Sequence, residues 1–293
     1  MPILNLGSLN IDRVFRVRHI ARPGETIAGT SFDLVAGGKG ANQSVALARA
    51  GAHVLHAGKV GPDGAWLVQK LAQNGVDTRS IRVGSEPTGQ AVIQVDERGE
   101  NAIVLFAGAN REISPGEVDE ALDRAPRDTW LLVQNETSAV KQAILAARQR
   151  GLRVAFNPAP CDTAVLEYPW DQVDLLCVNE TEGAVLAGDA DPEKIIETLS
   201  ARAPRSEIVL TLGADGVQYR QGRAQIRLPA RHVEAVDTTA AGDTFLGYYL
   251  ALRSQGREPR ECLEVATSAA ALCVTRPGAM DSIPRLDEVA KKI

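Results

Sequence analysis

The segment Ala235-Val236-Asp237-Thr238-Thr239-Ala240-Ala241-Gly242-Asp243-Thr244-Phe245 runs directly into the helical pattern LGYYLALRSQ. Small residues just ahead of a helix leave its first backbone N–H groups open at the positive end of the helix dipole, which suits a phosphate or a developing negative charge. Ala240, Ala241 and Gly242 therefore read as an anion hole. Asp243 has two readings at this point: a helix-start carboxylate that merely caps, or a group that works beside the bound anion. A second small-residue segment, Gly37-Gly38-Lys39-Gly40-Ala41-Asn42-Gln43, permits close backbone approach to a ligand. It is not a GxxxxGK[ST] phosphate loop, because Gly40 follows the lysine. Nor is it a dinucleotide fingerprint, because Gln43 stands where the third glycine of GxGxxG belongs. Taken alone, a plain turn explains it.

The elements that must position these residues follow a regular rhythm. Strand-length apolar runs alternate with helical patterns in ILNLGS, ANQSVALARAG, HVLHAGKVG, AWLVQKLAQNG, TWLLVQNE, AVKQAILAARQRG, RVAFNPAP and VDLLCVNE. That alternation predicts an α/β fold, a doubly wound and mostly parallel sheet with helices on both faces. Gly51, Gly75 and Gly151 fall just past periodic stretches and read as helix ends. Residues 12–35 and 88–107 break the rhythm, each with two alternating segments joined by polar turn residues, so both read as hairpins. Placed near the carboxyl ends of the parallel strands, they are expected to pair into a small β-sheet lid over a ligand crevice or a partner subunit. Nothing resembles a linker or an internal repeat, so residues 1–293 are expected to form one domain carrying that lid.

Composition excludes several function classes. The net charge of −5 over 293 residues argues against a phosphate-backbone binder, so nucleic acid is not the expected partner. No run approaches the roughly 18 apolar residues of a membrane span, and MPILNLGSLN has no signal-peptide pattern, which leaves the cytoplasm as the expected location. Cys161, Cys177, Cys262 and Cys273 form no CxxC pair and are expected to be reduced thiols. His53 and His56 lie in an alternating segment that puts them on opposite faces, which disfavours a metal site.

In order along nearly the whole chain, GSLNID (7–12), GGKGAN (37–42), NPAP (157–160), NETE (179–182), TLGADG (211–216), VDTTAAGDTF (236–245) and VTRPGA (274–279) resemble the PfkB family of carbohydrate kinases, the ribokinase family. The resemblance implies an α/β domain with a β lid and an ATP-dependent phosphorylation of a sugar hydroxyl. It implies sugar contacts from Asn10, Asp12, Gly38, Lys39, Asn42 and Glu136. It puts Asn179 and Glu182 by the phosphates and the hydration shell of Mg²⁺, and Thr211, Gly213 and Gly216 toward the nucleotide. Asp237, Ser282 and backbone carbonyls around Thr239, Arg276 and Gly278 match the family's K⁺ loop. Each residue taken singly has a plainer reading, with Asn179 as a helix cap and Lys39 as a solvated helix-start charge. One departure is Trp66, three residues after Asp63, where many relatives carry glycine.

Phosphoryl transfer asks a protein for an aligned hydroxyl, neutralised phosphate charge and exclusion of water. On this resemblance Asp243 is the base that takes the hydroxyl proton, with Ala240, Ala241 and Gly242 steadying the phosphoryl charge. GGKGANQ, NPAP and AAGDTF are nearer the ribokinase branch than the fructokinase or adenosine kinase branches, which implies D-ribose as substrate and ribose 5-phosphate as product. Deoxyribose, a fructose-type furanose or a nucleoside are the alternatives within the class, and a sugar-binding regulator without turnover is the alternative outside it. The lid, if shared, implies a homodimer. An NAD-dependent oxidoreductase fits the rhythm but lacks the glycine fingerprint after the first strand.

Overall fold

A computed structural model describes residues 1–291. In chain order the regular elements begin with β1 (Ile3–Leu6), β2 (Asn10–Arg16), β3 (Ser31–Gly37), α1 (Lys39–Arg49), β4 (Val54–Val60), α2 (Ala65–Gln73) and β5 (Asp77–Val83). They continue with β6 (Gly89–Val95), β7 (Asn101–Phe106), α3 (Pro115–Arg124), β8 (Trp130–Gln134), α4 (Val140–Gln149), β9 (Arg153–Asn157), β10 (Leu175–Asn179), α5 (Glu180–Ala187) and α6 (Pro192–Arg202). The last are β11 (Glu207–Thr211), β12 (Val217–Gln221), β13 (Ala224–Leu228), α7 (Ala241–Ser254), α8 (Pro259–Val274) and α9 (Leu286–Ala290).

Nine strands form the main sheet in the order β13-β12-β11-β10-β9-β8-β1-β4-β5. The run from β11 to β5 is parallel, and β12 and β13 close one edge antiparallel. Successive strand residues point to opposite faces, and both faces are covered. Ile3, Leu132, Ala155 and Val209 pack with Val45, Tyr248 and Leu263 from α1, α7 and α8, all nearly or fully buried. Leu4, Leu131, Val154 and Ile208 pack with Val118, Ile144 and Ile195 from α3, α4 and α6 on the other side. The fold is thus the doubly wound, mostly parallel α/β arrangement expected from the alternation, which did not reveal the antiparallel edge. Gly51, Gly75 and Gly151 end their helices with φ of 87°, 85° and 74°, the left-handed region that glycine enters without a Cβ penalty.

The two hairpins form a second sheet, β3-β2-β6-β7, in which β2 and β6 run parallel and the outer pairs antiparallel. Its first strand begins at Asn10, two residues before the boundary read from the alternation. β2 follows the carboxyl end of β1, and β6 follows that of β5. Phe32, Leu34, Ile103, Val104, Leu105 and Phe106 of this sheet are exposed. His56 is buried in β4 while His53 is exposed ahead of it, so the two do not form a pair. Among the described residues no group of three or more His, Cys, Asp or Glu is arranged to hold a metal, and no helix is long and apolar enough to cross a membrane.

Candidate active site

The chain winds outward from β1 through β4 to β5, then returns to the other side of β1 at β8. The reversal between β1 and β8 leaves a crevice at the carboxyl ends of these strands, the place where doubly wound sheets bind ligands. Ser8 and Asn10 follow β1, Glu136 follows β8, and Asn157, Asn179 and Thr211 end β9, β10 and β11. The loop Gly37–Gly40 is pressed onto the segment after β1. A Cβ on Gly38, whose φ is 93°, would lie 2.9 Å from Asn10 N and 3.0 Å from Ser8 O, and one on Gly37 would fall on the Asp12 carboxyl. The glycines of this segment are therefore required by the close approach that sets Lys39 and Asn42 over the crevice.

Asp243 sits in the first turn of α7, three residues after Ala240, which carries a left-handed φ of 62° and makes no side-chain cap. The capping alternative for Asp243 finds no hydrogen bond here. Its Oδ2 accepts from Asn42 Nδ2 at 3.0 Å and its Oδ1 from Gln43 Nε2 at 2.9 Å. Ala241 N–H donates back to Thr238 O at 3.2 Å. Among the described residues the N–H groups of Ala240, Gly242 and Asp243 have no acceptor, so these three are open donors at the helix mouth, while Ala241 N–H is engaged. A cavity of about 220 Å³ opens in front of them, and its wall includes Lys39, Asn179, Glu182, Thr211, Ala240, Ala241, Gly242 and Asp243. Eight residues from four separate sequence segments thus meet on one surface. Gly213 and Gly216 lie on the turn after β11, outside this wall.

Asn179 and Glu182 do form a reciprocal capping box on α5, with Glu182 N donating to Asn179 Oδ1 at 2.8 Å and Asn179 N to Glu182 Oε2 at 3.0 Å. The plainer reading of Asn179 is realised, and both residues still face the cavity. Lys39 is not a solvated charge. Burial works against its ammonium, but Asp243, Glu136 and Glu182 more than offset this and hold its pKa above the ordinary value.

Beside the cavity, Asp12, Glu136 and Asp243 bring three carboxylates together. Burial, with Glu136 and then Asp243 adding repulsion, raises the pKa of Asp12 to about 7. Burial also raises Glu136, against the pull of Lys39 and hydrogen bonds from the Ser8 hydroxyl and Lys39 N–H. Asn110 donates to Asn10 Oδ1 at 2.8 Å and so turns the Asn10 amide, leaving its Nδ2 without a protein acceptor among the described residues. Asn42 Oδ1 is buried and unpartnered. The crevice thus offers donors from Asn10, acceptors from Asp12 and Glu136, and an unsatisfied acceptor beside Asp243, a pattern suited to a polyhydroxylated ligand.

Asp237 ties two loops together behind α7. Its Oδ1 accepts from Thr239 N and its Oδ2 from Gly278 N, each at 2.9 Å. Burial pushes its carboxyl up, and the hydrogen bonds from Thr239 and Gly278 outweigh that and hold it below the usual range. The Arg276 side chain is drawn away to Glu288, and the buried Ser282 Oγ donates to Ala279 O at 2.7 Å. Trp66 lies in the first turn of α2 and is half exposed, away from the cavity wall. Gln43, Asn110, Asn157 and Ser8 were not identified as site residues from sequence. The signal was present for Gln43, which with Ser44 puts two polar residues at the head of the apolar helical run Val45–Ala48.

Residues 3–286 match the model of the family described as "pfkB family carbohydrate kinase". The chain is 38% identical to a ribokinase of Haemophilus influenzae, over 97% of this chain and 95% of that one. Its fold is similar to a ribokinase of Cryptococcus neoformans in complex with ADP, with TM-score 0.86, 37% identity and coverage of 100% and 99% of the two chains. It is also similar to an Arabidopsis thaliana ribokinase complexed with ribose and ATP, with TM-score 0.87, 30% identity and coverage of 99% and 97%.

Proposed function

The chain belongs to the pfkB family of carbohydrate kinases, an ATP-dependent sugar kinase, and from that premise we propose that it transfers the terminal phosphoryl group of ATP to the primary hydroxyl of D-ribose with Asp243 as the base. The observation that carries this reading is the placement of Asp243. Its carboxylate caps nothing, is aimed by two side-chain amides, and stands where the carboxylate-lined crevice meets the open N–H groups of α7. Similarity over nearly the whole length to proteins named ribokinase supports ribose over other sugars.

In this reading Asn10 donates to the sugar while Asp12, Glu136 and the free Oδ1 of Asn42 accept from its hydroxyls, with Gly38 and Lys39 closing over it. Those contacts fix the primary hydroxyl against Asp243. As the O–P bond forms, the hydroxyl proton passes to Asp243, the bond from the terminal phosphorus to the bridging oxygen breaks, and ADP leaves. The N–H groups of Gly242 and Asp243, together with Lys39, stabilise charge on the transferring group. Thr211, Asn179 and Glu182 lie where the nucleotide phosphates would rest, and Gly213 and Gly216 shape the turn beyond them. Mg²⁺ would be held chiefly by phosphate and water oxygens, with Glu182 within its outer shell, and would neutralise phosphate charge. The Asp237–Thr239–Gly278 tie, with the Arg276 and Ser282 loop, is the proposed seat of K⁺, which would rigidify the approach to α7.

The β3-β2-β6-β7 sheet is the proposed lid. Its exposed apolar side chains support pairing with a second copy, and the working location is the ATP-rich cytoplasm. The test is ADP release coupled to a reporter across ribose, 2-deoxyribose, hexoses and nucleosides, with the phosphorylated product identified by NMR. Ribose is expected to have the highest kcat/KM and to be phosphorylated on its primary hydroxyl. No ADP release with any of them, or a tenfold preference for another acceptor, overturns the proposal.

A further inference from the structure

We infer that Gln43 is a positioning residue for Asp243, held in its working orientation by a buried chain of polar side chains that begins on the far side of β1. The inference rests on the reading of Asp243 as the base. His56 is fully buried, and burial lowers its pKa to about 4, so its ring is neutral at working pH. Its Nε2 faces Gly7 O at 3.2 Å and must carry the hydrogen, which leaves Nδ1 as an acceptor for the Ser44 hydroxyl at 2.8 Å. Ser44 Oγ and Gly40 O both accept from Asn5 Nδ2 at 2.8 Å, so Asn5 turns its oxygen the other way. Gln134 Nε2 uses its two hydrogens on Asn5 Oδ1 at 3.0 Å and Gln43 Oε1 at 2.7 Å.

With its oxygen engaged, Gln43 has only its amide group to offer forward. Its two hydrogens go to Asn157 Oδ1 at 3.1 Å and Asp243 Oδ1 at 2.9 Å. Asn157 is fixed in turn by donating to Cys177 O at 3.0 Å. Asn5, Gln43, Ser44 and His56 are completely buried and Gln134 nearly so. Every orientation in the series is set by a backbone carbonyl at one end and the carboxylate at the other. A flipped amide anywhere would set donor against donor or acceptor against acceptor in a dry interior. The chain therefore holds one oxygen of Asp243 from behind, while Asn42 on the sugar side holds the other, and the carboxylate cannot rotate away from the hydroxyl it is to deprotonate.

Displacement of a reacting group by about 1 Å can cost roughly a hundredfold in rate. Gln43→Met keeps the side-chain length and removes the donor. It is expected to lower kcat roughly tenfold to a hundredfold and to leave KM for ribose within about twofold. In an Asp243→Asn background the same change should lower kcat by less than about twofold, because the group it positions is gone. A merely structural Gln43 would cost the same in both backgrounds and overturn the inference. Gln134→Glu puts an acceptor where Gln43 Oε1 requires a donor, so it should reproduce the Gln43→Met defect without touching Asp243; unchanged kcat there also overturns it. If Gln43→Met does not fold, the side-chain amide ¹⁵N–¹H resonances of Gln43 in the parent decide, since they must shift in Asp243→Asn; unmoved resonances refute the contact. An Asp243→Asn protein that keeps turnover within a few-fold removes the base assignment itself. A collapsed Asp243→Asn beside a normal Gln43→Met removes only the positioning role.

Discussion

Ribose affinity should fall steeply as the pH drops below 7, because Asp12 must be ionised to accept hydroxyl hydrogens. Its pKa stands at about 7 rather than at its ordinary 3.8, through burial first and then repulsion from Glu136 and Asp243. If only the carboxylate form binds sugar, the apparent Kd is multiplied by 1 + 10^(pKa − pH). This factor is about 2 at pH 7, about 11 at pH 6 and on the order of 100 at pH 5, approaching 1 above pH 8. Stability carries the opposite sign. The unfolded chain binds this proton only near pH 4, so the folded, sugar-free protein gains stability as pH falls from about 7 toward 4 and loses it as pH rises. Glu136 and Glu182, also raised by burial, act in the same direction. Calorimetric titration with ribose alone between pH 5 and 8 measures the first effect, and thermal melts without sugar over the same range measure the second. Asp12→Asn should flatten most of the binding slope while weakening affinity above pH 7. A flat Kd in the parent from pH 5 to 8, or a slope that survives intact in Asp12→Asn, refutes the assignment of Asp12 as an ionised sugar ligand.

Asp243→Asn should lower turnover by roughly 10² to 10⁴ with a melting temperature within about 2 °C of the parent, since it alters one buried amide contact and relieves repulsion with Asp12 and Glu136; turnover within a few-fold would return the residue to a helix-start role. Turnover should be higher in K⁺-containing than in K⁺-free buffer of matched ionic strength if the loop tied by Asp237 is the ion's seat, and equal rates in the two buffers would remove that assignment. Saturating ribose should add hydrogen-exchange protection across Asn10–Gly37 and Gly89–Phe106 if the second sheet is a lid, and unchanged exchange in both segments would count against closure.

The winding of the sheet was legible because period-2 and period-3.6 patterns alternate cleanly as far as β10. Beyond it, β12 (VQYRQ) and β13 (AQIRL) are as long as β8, β9 and β10 but interrupt their apolar residues with polar ones, so they lack the continuous apolar run by which the parallel strands are read. The hairpins were legible from their turn residues, except that the ladder of β2 begins at Asn10, ahead of the alternation, paired with Gly37 and Gly89. Asp243, Lys39, Glu182 and Thr211 were legible as a set only through the order of their motifs. Nothing local says that they meet on one wall. The amide chain was illegible for a geometric reason: Asn5 pairs in register with His56 and Leu132, so its reach to Gln134 is a diagonal across two strands, and no sequence spacing encodes a diagonal.

On the proposed reading the site divides its charge by position. Asp12 and Glu136 gather on the side of β1 and β8, where hydroxyl hydrogens need acceptors and no phosphate need approach. The open N–H groups of α7 and the ammonium of Lys39 stand on the other side, where transferred charge needs donors. Asp243 lies on the seam and belongs to both, which makes its orientation the sensitive variable. A free carboxylate there would turn toward the nearest positive charge, Lys39 or the helix mouth, and cease to face the sugar. Two side-chain amides that accept nothing from it and donate one hydrogen bond to each oxygen prevent that turn at no cost in net charge. Neutral donors are the fitting choice, because a cation in place of Gln43 would pair with the carboxylate, lower its proton affinity and so weaken it as a base.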